Sequence, residues 1–377
     1  MQAIRVGVLI VRHVLLAVLI VVLPALAGCT TLGDFARPLS ATATPVVQPI
    51  FVASARKIGS DGSYGAARST ELTYAAYNIG IPPNHRPGMV ARAGHGKPNP
   101  MTEFAILNGE HLAGAGAFER AVVTHAAGHY DGPAEAMVYV HGFNSSFDES
   151  LFQLAQIGTD LKIPAAKVLY AWPSEDELFA YIHDLDSVAF ARDGLERTLE
   201  DLAASGVKRI VVVGYSMGAA LVVETLRQMK LSGSPRFFGK LGGVVLLSPD
   251  MDVDLFRIEA ERMGKLPQPF VIYGSPNDTA LNMFSRLVME GRPRLGALPD
   301  PRLLEGLDVT FIDVRNVPRT PQIGHLVVAT SPAMIAAIND MPKADLVLYA
   351  QSAKAGKIPG ATVEHFGGMT SVVLPKQ

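Results

Sequence analysis

Short apolar runs alternate with segments of helical period over most of the chain beyond residue 132. The runs are rich in β-branched and aromatic residues, and most are bounded by Gly, Pro, Asn or Asp, which is typical of strands. Between them, residues 146–149 form a helical capping box, and residues 186–202 repeat apolar side chains at helical spacing. The predicted strands are Met137–Val140, Val168–Trp172, Ile210–Val213, Val244–Leu247, Phe270–Tyr273 and Val309–Val314.

This alternation predicts the α/β fold class. Strands that are apolar throughout, with a helix in most gaps, indicate a mainly parallel central sheet with helices on both faces. Two further strands are predicted at residues 50–55 and 72–81, followed by a Gly/Pro-rich loop at 82–100 and a short helix at 118–125. Functional residues of such sheets follow the carboxyl ends of the strands, so candidate chemistry is sought there.

The N-terminal segment has a different pattern. Arg12 and His13 precede the uncharged apolar residues 14–23, a run too short to cross a ~30 Å hydrocarbon core comfortably but suited to a secretory signal. Leu26-Ala27-Gly28-Cys29 then resembles the lipobox of bacterial lipoproteins, which implies that a lipid is attached to Cys29. The alternative is an uncleaved signal anchor over residues 6–26. Both place the rest of the chain in the cell envelope, facing away from the cytoplasm.

Three segments are therefore expected. Residues 1–28 are a signal peptide, residues 29–48 are a flexible tether rich in Thr, Ala and Pro, and residues 49–377 form one large domain. The predicted anchor makes the membrane a partner of the protein through Cys29.

Composition excludes several other classes of function. The chain carries 33 Lys and Arg against 35 Asp and Glu, a formal net charge of −2, so binding to nucleic acid is not expected. With 49% hydrophobic residues the chain is not of the disordered class. A single cysteine can build neither an intramolecular disulfide nor a multi-cysteine metal site, and no metal or cofactor is expected.

The segment Gly214-Tyr215-Ser216-Met217-Gly218 fits the pattern G-x-S-x-G of a nucleophile elbow. About 0.2 such matches are expected by chance in this composition, so the motif alone is weak. Its context is stronger, because a β-branched strand precedes it and a helix follows it. We therefore expect Ser216 to be a nucleophile.

A serine nucleophile requires a base that is held by an acid. The chain order Ser, Asp/Glu, His leaves only His325 and His365 as bases, and His365 lies in a Gly-containing tail. His325 follows the last predicted strand. The acid is either Asp278, after the strand at 270–273, or Asp250, after the preceding strand. Each precedes a helix, so the alternative role of each is that of a helix N-cap. Asp278 is favoured, because an acid after that strand is the commoner arrangement.

Two backbone N–H groups are candidates for an oxyanion hole. One belongs to Met217 at the helix start, and the other to Phe143 in His141-Gly142-Phe143-Asn144, which follows the strand at 137–140. The same loops predict a substrate pocket lined by Phe143, His141, Gly142, Trp172 and Tyr215, although Trp172 could equally be a core residue.

The order of these segments resembles α/β hydrolases, and specifically an esterase/lipase-like bacterial family long labelled a domain of unknown function. Two positions depart from that family: Tyr215 stands where His is more frequent, and Ser248 where Ala is usual. The resemblance extends from residue 50 to residue 342. Its segments are residues 50–53, 81–83, 141–144, 170–174, 214–218, 248–250, 277–278 and 324–325.

The resemblance implies a serine hydrolase, of the carboxylesterase or lipase type, that cleaves an acyl ester through an acyl-enzyme intermediate. Its substrate would be a small-molecule or lipid ester; no long apolar lid is evident, which favours soluble or short-chain esters. The alternatives are an acyltransferase or thioesterase with the same catalytic residues, or a catalytically silent envelope scaffold, because a fold alone does not establish activity.

Overall fold

A computed structural model describes residues 44–93, 96–175, 177, 180–288, 291–318, 325–341 and 346–376. The predicted signal peptide, Cys29 and residues 29–43 of the predicted tether lie outside the described residues. The strands are β1 Val46–Ile58, β2 Tyr64–Ile81, β3 Ala105–Leu112, β4 Glu135–Val140, β5 Ala166–Ala171, β6 Arg209–Tyr215, β7 Leu241–Leu247, β8 Phe270–Gly274, β9 Thr310–Asp313, β10 Thr362–Phe366 and β11 Met369–Val373.

The helices within the described residues follow the order expected of an alternating fold. They are α1 Ala115–His129, α2 Phe147–Asp160, α3 Tyr181–Ala204, α4 Met217–Ser232, α5 Pro235–Lys240, α6 Val253–Met263, α7 Thr279–Val288, α8 Val327–Thr330, α9 Pro332–Asn339 and α10 Leu346–Lys354. The predicted capping box is confirmed: Ser146 Oγ accepts the Glu149 N–H, and the Glu149 carboxylate accepts the Ser146 N–H.

All of the strands belong to one sheet, with the order β10-β11-β9-β8-β7-β6-β4-β5-β1-β2-β3. Every pairing from β11 through β1 is parallel, whereas β2 runs antiparallel to both of its neighbours and β10 antiparallel to β11. The predicted fold class is therefore confirmed. Because β4, β6, β7, β8 and β9 are parallel neighbours, the loops at their carboxyl ends meet along one edge of the sheet.

Helices cover both faces of this sheet, which explains why its central strands are apolar throughout. Neighbouring residues of one strand point to opposite faces, so Phe51 joins the core beneath α1 and α3, whereas Val52 joins the core beneath α2. The first face also carries α4, α5 and α6, and the second carries α8, α9 and α10. All six residues of β4, and all six of β5, are buried.

The boundary predicted between tether and domain at residues 48 and 49 is too late. Strand β1 already begins at Val46, which pairs with Ile81, and Gln48 is buried. Val46 is 58% exposed and Val47 is 50% exposed. Because an exposed strand end lacks the apolar alternation of a buried strand, its composition resembles that of the tether.

The edges of the sheet contain three strands that the sequence pattern did not predict. Strand β3 is exposed at most positions, and β10 and β11 form a terminal hairpin that contains His365. His365 is exposed on this hairpin. Helix α1, at Ala115–His129, is longer than the helix predicted at 118–125. None of the described helices is both long enough and apolar enough to span a membrane.

Candidate active site

The chain turns sharply at Ser216, between β6 and α4. Its φ of 54° and ψ of −123° lie outside the regions that L-residues ordinarily occupy, and its N–H donates to the carbonyl oxygen of Leu247 at 3.0 Å. Only 6% of Ser216 is exposed. Such a strained serine at a strand-to-helix turn has the backbone geometry of a nucleophile elbow.

Close backbone packing explains the glycines around Ser216. A Cβ atom on Gly218 would lie 2.2 Å from the carbonyl oxygen of His141, and one on Gly214 would lie 2.6 Å from Cα of Ala219. A Cβ atom on Gly142 would lie 3.0 Å from Cβ of Ser216. Gly218 and Gly142 therefore allow the elbow and the 141–144 loop to pack directly against each other, and Gly214 allows the first turn of α4 to pack against the end of β6.

His325 and Asp278, 47 positions apart in sequence, are joined by a hydrogen bond. His325 Nδ1 lies 2.7 Å from Asp278 Oδ2, and the Asp278 side chain is 3% exposed. The other carboxylate oxygen of Asp278 accepts the N–H of Leu281 at 3.1 Å, so Asp278 also caps α7. The capping role and the histidine contact, which the sequence presented as alternatives, therefore coexist in one side chain.

The competing acid, Asp250, has other partners. Its Oδ1 lies 2.6 Å from Arg294 Nε, and its Oδ2 accepts a hydrogen bond from the Tyr181 hydroxyl at 2.9 Å. The Asp250 N–H donates to the carbonyl oxygen of Ser216 at 3.1 Å, so the loop after β7 is hydrogen-bonded to the elbow. The structure thus engages Asp250 in a buried ion pair and brings Asp278, not Asp250, to His325. The N-cap of α6 is Asp252, whose side chain accepts the N–H groups of Asp254 and Leu255.

Ser248 is a site residue whose role sequence reasoning missed. Its hydroxyl donates to the carbonyl oxygen of His325 at 2.6 Å, and its own φ is 44°. The available signal was its departure from the Ala that is usual at this position in the family it resembles. The ring of Tyr215 also contacts the His325 ring, with 5.2 Å between the centroids.

His141 and Trp172 lie in the protein interior, which is the alternative that the sequence left open for Trp172. Both are completely buried, and their rings stack 5.1 Å apart with an angle of 10° between the planes. Trp172 Nε1 donates to the carbonyl oxygen of His141 at 2.6 Å. Burial, aided by the charge of Arg56, lowers the pKa of His141 to about 3, so its imidazole is neutral at pH 7. The stacked rings of His141 and Trp172, together with the hydrogen bond between them, hold the start of the 141–144 loop in place.

The predicted oxyanion donors lie on the two loops that pack together at the elbow. Met217 is the first residue of α4, so its N–H has no acceptor within the helix. Phe143 follows the close contact at Gly142, and its ring meets the Tyr181 ring edge-on at 5.4 Å. Positive φ angles at non-glycine residues concentrate here: Asn144, Ser216 and Ser248 have them, and among the described residues only Lys162 elsewhere does.

Comparison with known proteins identifies a family. The sequence model of the family described as alpha/beta hydrolase of unknown function (DUF900) matches residues 119–341, which is more than half of the chain. A search of the curated proteins found no match.

Similar solved structures include lipase B from Aspergillus fumigatus, with 14% identity and a TM-score of 0.36 over 61% of this chain and 58% of the lipase. An esterase from the archaeon Pyrobaculum calidifontis has 13% identity and a TM-score of 0.35 over 83% of this chain and 87% of the esterase. A dienelactone hydrolase from Anabaena variabilis has 11% identity and a TM-score of 0.35 over 78% of this chain and 94% of the hydrolase.

Proposed function

Because the chain belongs to the family described as alpha/beta hydrolases of unknown function (DUF900), we propose that it is a serine hydrolase that cleaves a carboxylic ester. Ser216 is the nucleophile, His325 the base and Asp278 the acid that orients it. The backbone N–H groups of Phe143 and Met217 hold the oxyanion.

In the first half of the reaction Ser216 Oγ attacks the acyl carbon, and its proton passes to His325 Nε2. Asp278 accepts the hydrogen bond from Nδ1 and stabilises the imidazolium that forms. The negative charge on the former carbonyl oxygen faces the N–H groups of Phe143 and Met217. The bond to the alcohol oxygen then breaks, and that oxygen takes the proton from His325, which leaves an acyl-enzyme.

In the second half, water attacks the acyl-enzyme and gives a proton to His325. The bond to Ser216 breaks, its oxygen recovers the proton, and the carboxylic acid leaves. His325 therefore acts as a base and then as an acid in each half of the reaction.

The observation that carries this proposal is the 2.7 Å contact between His325 Nδ1 and Asp278 Oδ2. It fixes which ring nitrogen faces the carboxylate, so the other nitrogen is left for the nucleophile. The left-handed backbone at Ser216 supports the same assignment, because strain at a non-glycine residue is retained where function requires it.

The test is labelling of the purified protein with a fluorophosphonate probe, which forms a covalent bond with activated serines. We expect the native protein to be labelled and Ser216→Ala not to be. Ser232→Ala, at the exposed far end of α4, is the matched control and is expected to label normally. Absence of labelling in the native protein, or equal labelling of Ser216→Ala, contradicts the proposal and favours a silent scaffold.

Product analysis distinguishes hydrolysis from the related activities. We expect the free acid and the free alcohol from a simple ester in water. An ester formed with an added alcohol acceptor, at the expense of free acid, would instead indicate an acyltransferase, and preference for a thioester over the matching oxygen ester would indicate a thioesterase.

We also propose that the protein is a lipoprotein anchored in the cell envelope through Cys29. The support is the sequence Leu26-Ala27-Gly28-Cys29 after an apolar run. Growth with an alkyne-labelled palmitate should label the native protein and leave Cys29→Ser unlabelled. Equal labelling of Cys29→Ser would contradict the anchor without bearing on the hydrolase.

A further inference from the structure

A cavity of about 570 Å³ borders the elbow on the face of the sheet that carries α3, α4 and α6. This volume is within the range of roughly 300–1,000 Å³ typical of small-molecule sites. Met217 and Ala220 line it from α4, one and four residues after Ser216. Six of its lining side chains are apolar: Leu185, Val188, Met217, Ala220, Met251 and Leu255.

The cavity extends away from Ser216 along one side of α4. Met217, Ala220 and Glu224 are spaced three and four residues apart, so they share one helix face and span about 10 Å. Glu224 is half-buried at the far end, where burial raises the pKa of its carboxyl group. The apolar length of the cavity is therefore bounded by this polar group.

Asp250 and Arg294 also line the cavity, and they neutralise each other in the ion pair described above. Arg292 is exposed, and Asp252 is half-buried and accepts the N–H groups of Asp254 and Leu255. These charges are of both signs, so they do not favour a charged ligand over a neutral one.

We propose that this cavity holds the acyl chain of the substrate, and that the chain is an aliphatic group of medium length, such as octanoyl or decanoyl. This rests on the proposed serine hydrolase. Met217 links the two sites, because its N–H is the oxyanion donor while its side chain lines the cavity. A chain attached to the carbonyl carbon held there begins beside Met217.

The position of His325 assigns the acyl chain, and not the alcohol, to this cavity. The leaving oxygen must face the imidazole that protonates it. His325 follows β9 and contacts Tyr215, whereas the described cavity-lining residues come from α3, α4, α6 and the loops after β7 and before residue 295. The alcohol therefore leaves on the side of Tyr215, and the acyl chain lies on the side of Met217.

Exposed apolar side chains on the helices that line the cavity fit an aliphatic substrate. Leu255, which lines the cavity, is 45% exposed, and Ile258, one turn further along α6, is 64% exposed. On α3, Ile182 is 61% exposed one turn before Leu185.

The test uses p-nitrophenyl esters from acetate to palmitate. Each methylene placed in an apolar site raises kcat/KM by up to about fourfold. We expect kcat/KM to rise from acetate to a maximum at octanoate or decanoate and to fall at palmitate. Val188→Phe and Ala220→Leu, which fill the cavity from α3 and α4, should each lower the ratio of kcat/KM for decanoate to that for butyrate at least about tenfold. Val46→Phe, at an exposed position of β1, should leave the ratio unchanged.

Binding provides a second measurement that does not need turnover. Decanoate should bind to the Ser216→Ala protein in isothermal titration calorimetry, and addition of Val188→Phe should weaken that binding. If Val188→Phe does not fold, Ala220→Leu takes its place in the same binding measurement.

The outcomes separate this proposal from the proposed function. A maximum at acetate with an unchanged ratio in both cavity variants overturns the acyl site and leaves the hydrolase intact. Preference for a monoester of adipate over a neutral ester of equal length also overturns it. That result would indicate that the cavity binds an acyl group with a terminal carboxylate, through Arg292 and Arg294. If no ester is cleaved and no serine is labelled, the hydrolase is wrong, and decanoate binding alone then decides whether the cavity takes aliphatic chains.

Discussion

Asp250 and Arg294 form a buried ion pair, with 2.6 Å between Oδ1 and Nε and side chains that are 3% and 5% exposed. Tyr181 occupies the second oxygen of the same carboxylate. The pair joins the loop after β7 to the segment before residue 295 and forms one wall of the cavity. Asp250, the alternative acid in the sequence analysis, therefore takes part in a buried ion pair that stabilises the fold.

Asparagine substitutions at the two acids should have different effects. Asp278→Asn should lower kcat by about 10³–10⁴-fold, because the imidazole loses the partner that orients it and stabilises its charged form. Stability should change little, since Asn is also a good helix N-cap. Asp250→Asn should instead destabilise the fold by about 3–5 kcal/mol, because it leaves Arg294 buried without its counter-charge. Steady-state kinetics and thermal unfolding of both variants check this, and the reverse ranking would assign the acid to Asp250.

Ser248 should be a positioning residue for His325. Loss of its hydroxyl removes a hydrogen bond worth about 1 kcal/mol, so Ser248→Ala should lower kcat about fivefold with KM unchanged. Ser248→Gly removes the same hydroxyl but suits the φ of 44°, so it should lose as much activity while unfolding at a higher temperature than Ser248→Ala. Normal kcat in both variants would rule out the positioning role.

The two glycines Gly218 and Gly128 should respond oppositely to alanine. Gly218→Ala places a Cβ atom 2.2 Å from a backbone oxygen, so it should destabilise the protein by more than about 1 kcal/mol and abolish turnover. Gly128 lies in α1 with open space around it, so Gly128→Ala should be neutral or stabilise the helix by up to about 1 kcal/mol. Denaturant unfolding measures both. A stable, active Gly218→Ala protein would contradict the close packing of the elbow against the 141–144 loop.

Glu259 should make the protein less stable at alkaline pH. Burial, reinforced by the charge of Glu224, raises its pKa from 4.5 to about 7, and its Oε2 has no hydrogen-bond partner among the described residues. Because the pKa is higher in the folded state, the stabilising contribution is present below about pH 4.5 and is lost as the pH rises through 7.

The substituted side chain of Glu259→Gln is neutral at every pH. The free energy of unfolding of Glu259→Gln, measured relative to that of the native protein, should therefore be about 1–3 kcal/mol higher at pH 8 than at pH 4. Glu261→Gln, two residues away and exposed, is the control and should show no such difference. Thermal unfolding of the three proteins at both pH values checks the prediction. An equal effect of Glu259→Gln at pH 4 and pH 8 would show that Glu259 does not titrate differently on folding.

The central strands could be predicted from the sequence because burial on both faces leaves a continuous apolar run. Strands β4 and β5 are such cases. Strand β3 was missed because it lies at an edge and exposes most of its side chains, so its sequence resembles a loop. Trp172 illustrates a different limit: an aromatic residue after a core strand can face a pocket or the core, and only the stacking on His141 decides between them.

The sequence by itself determined the α/β class, the elbow motif around Ser216 and the short set of candidate bases and acids, because apolar period and motif spacing are local properties of the chain. The tertiary structure decided which carboxylate meets His325, which side chain holds its carbonyl oxygen and where the cavity lies. Those outcomes depend on distances between residues far apart in sequence. Parallel strands bring both Asp250 and Asp278 to one edge of the sheet, and only the packing of their loops separates a partner for Arg294 from a partner for His325.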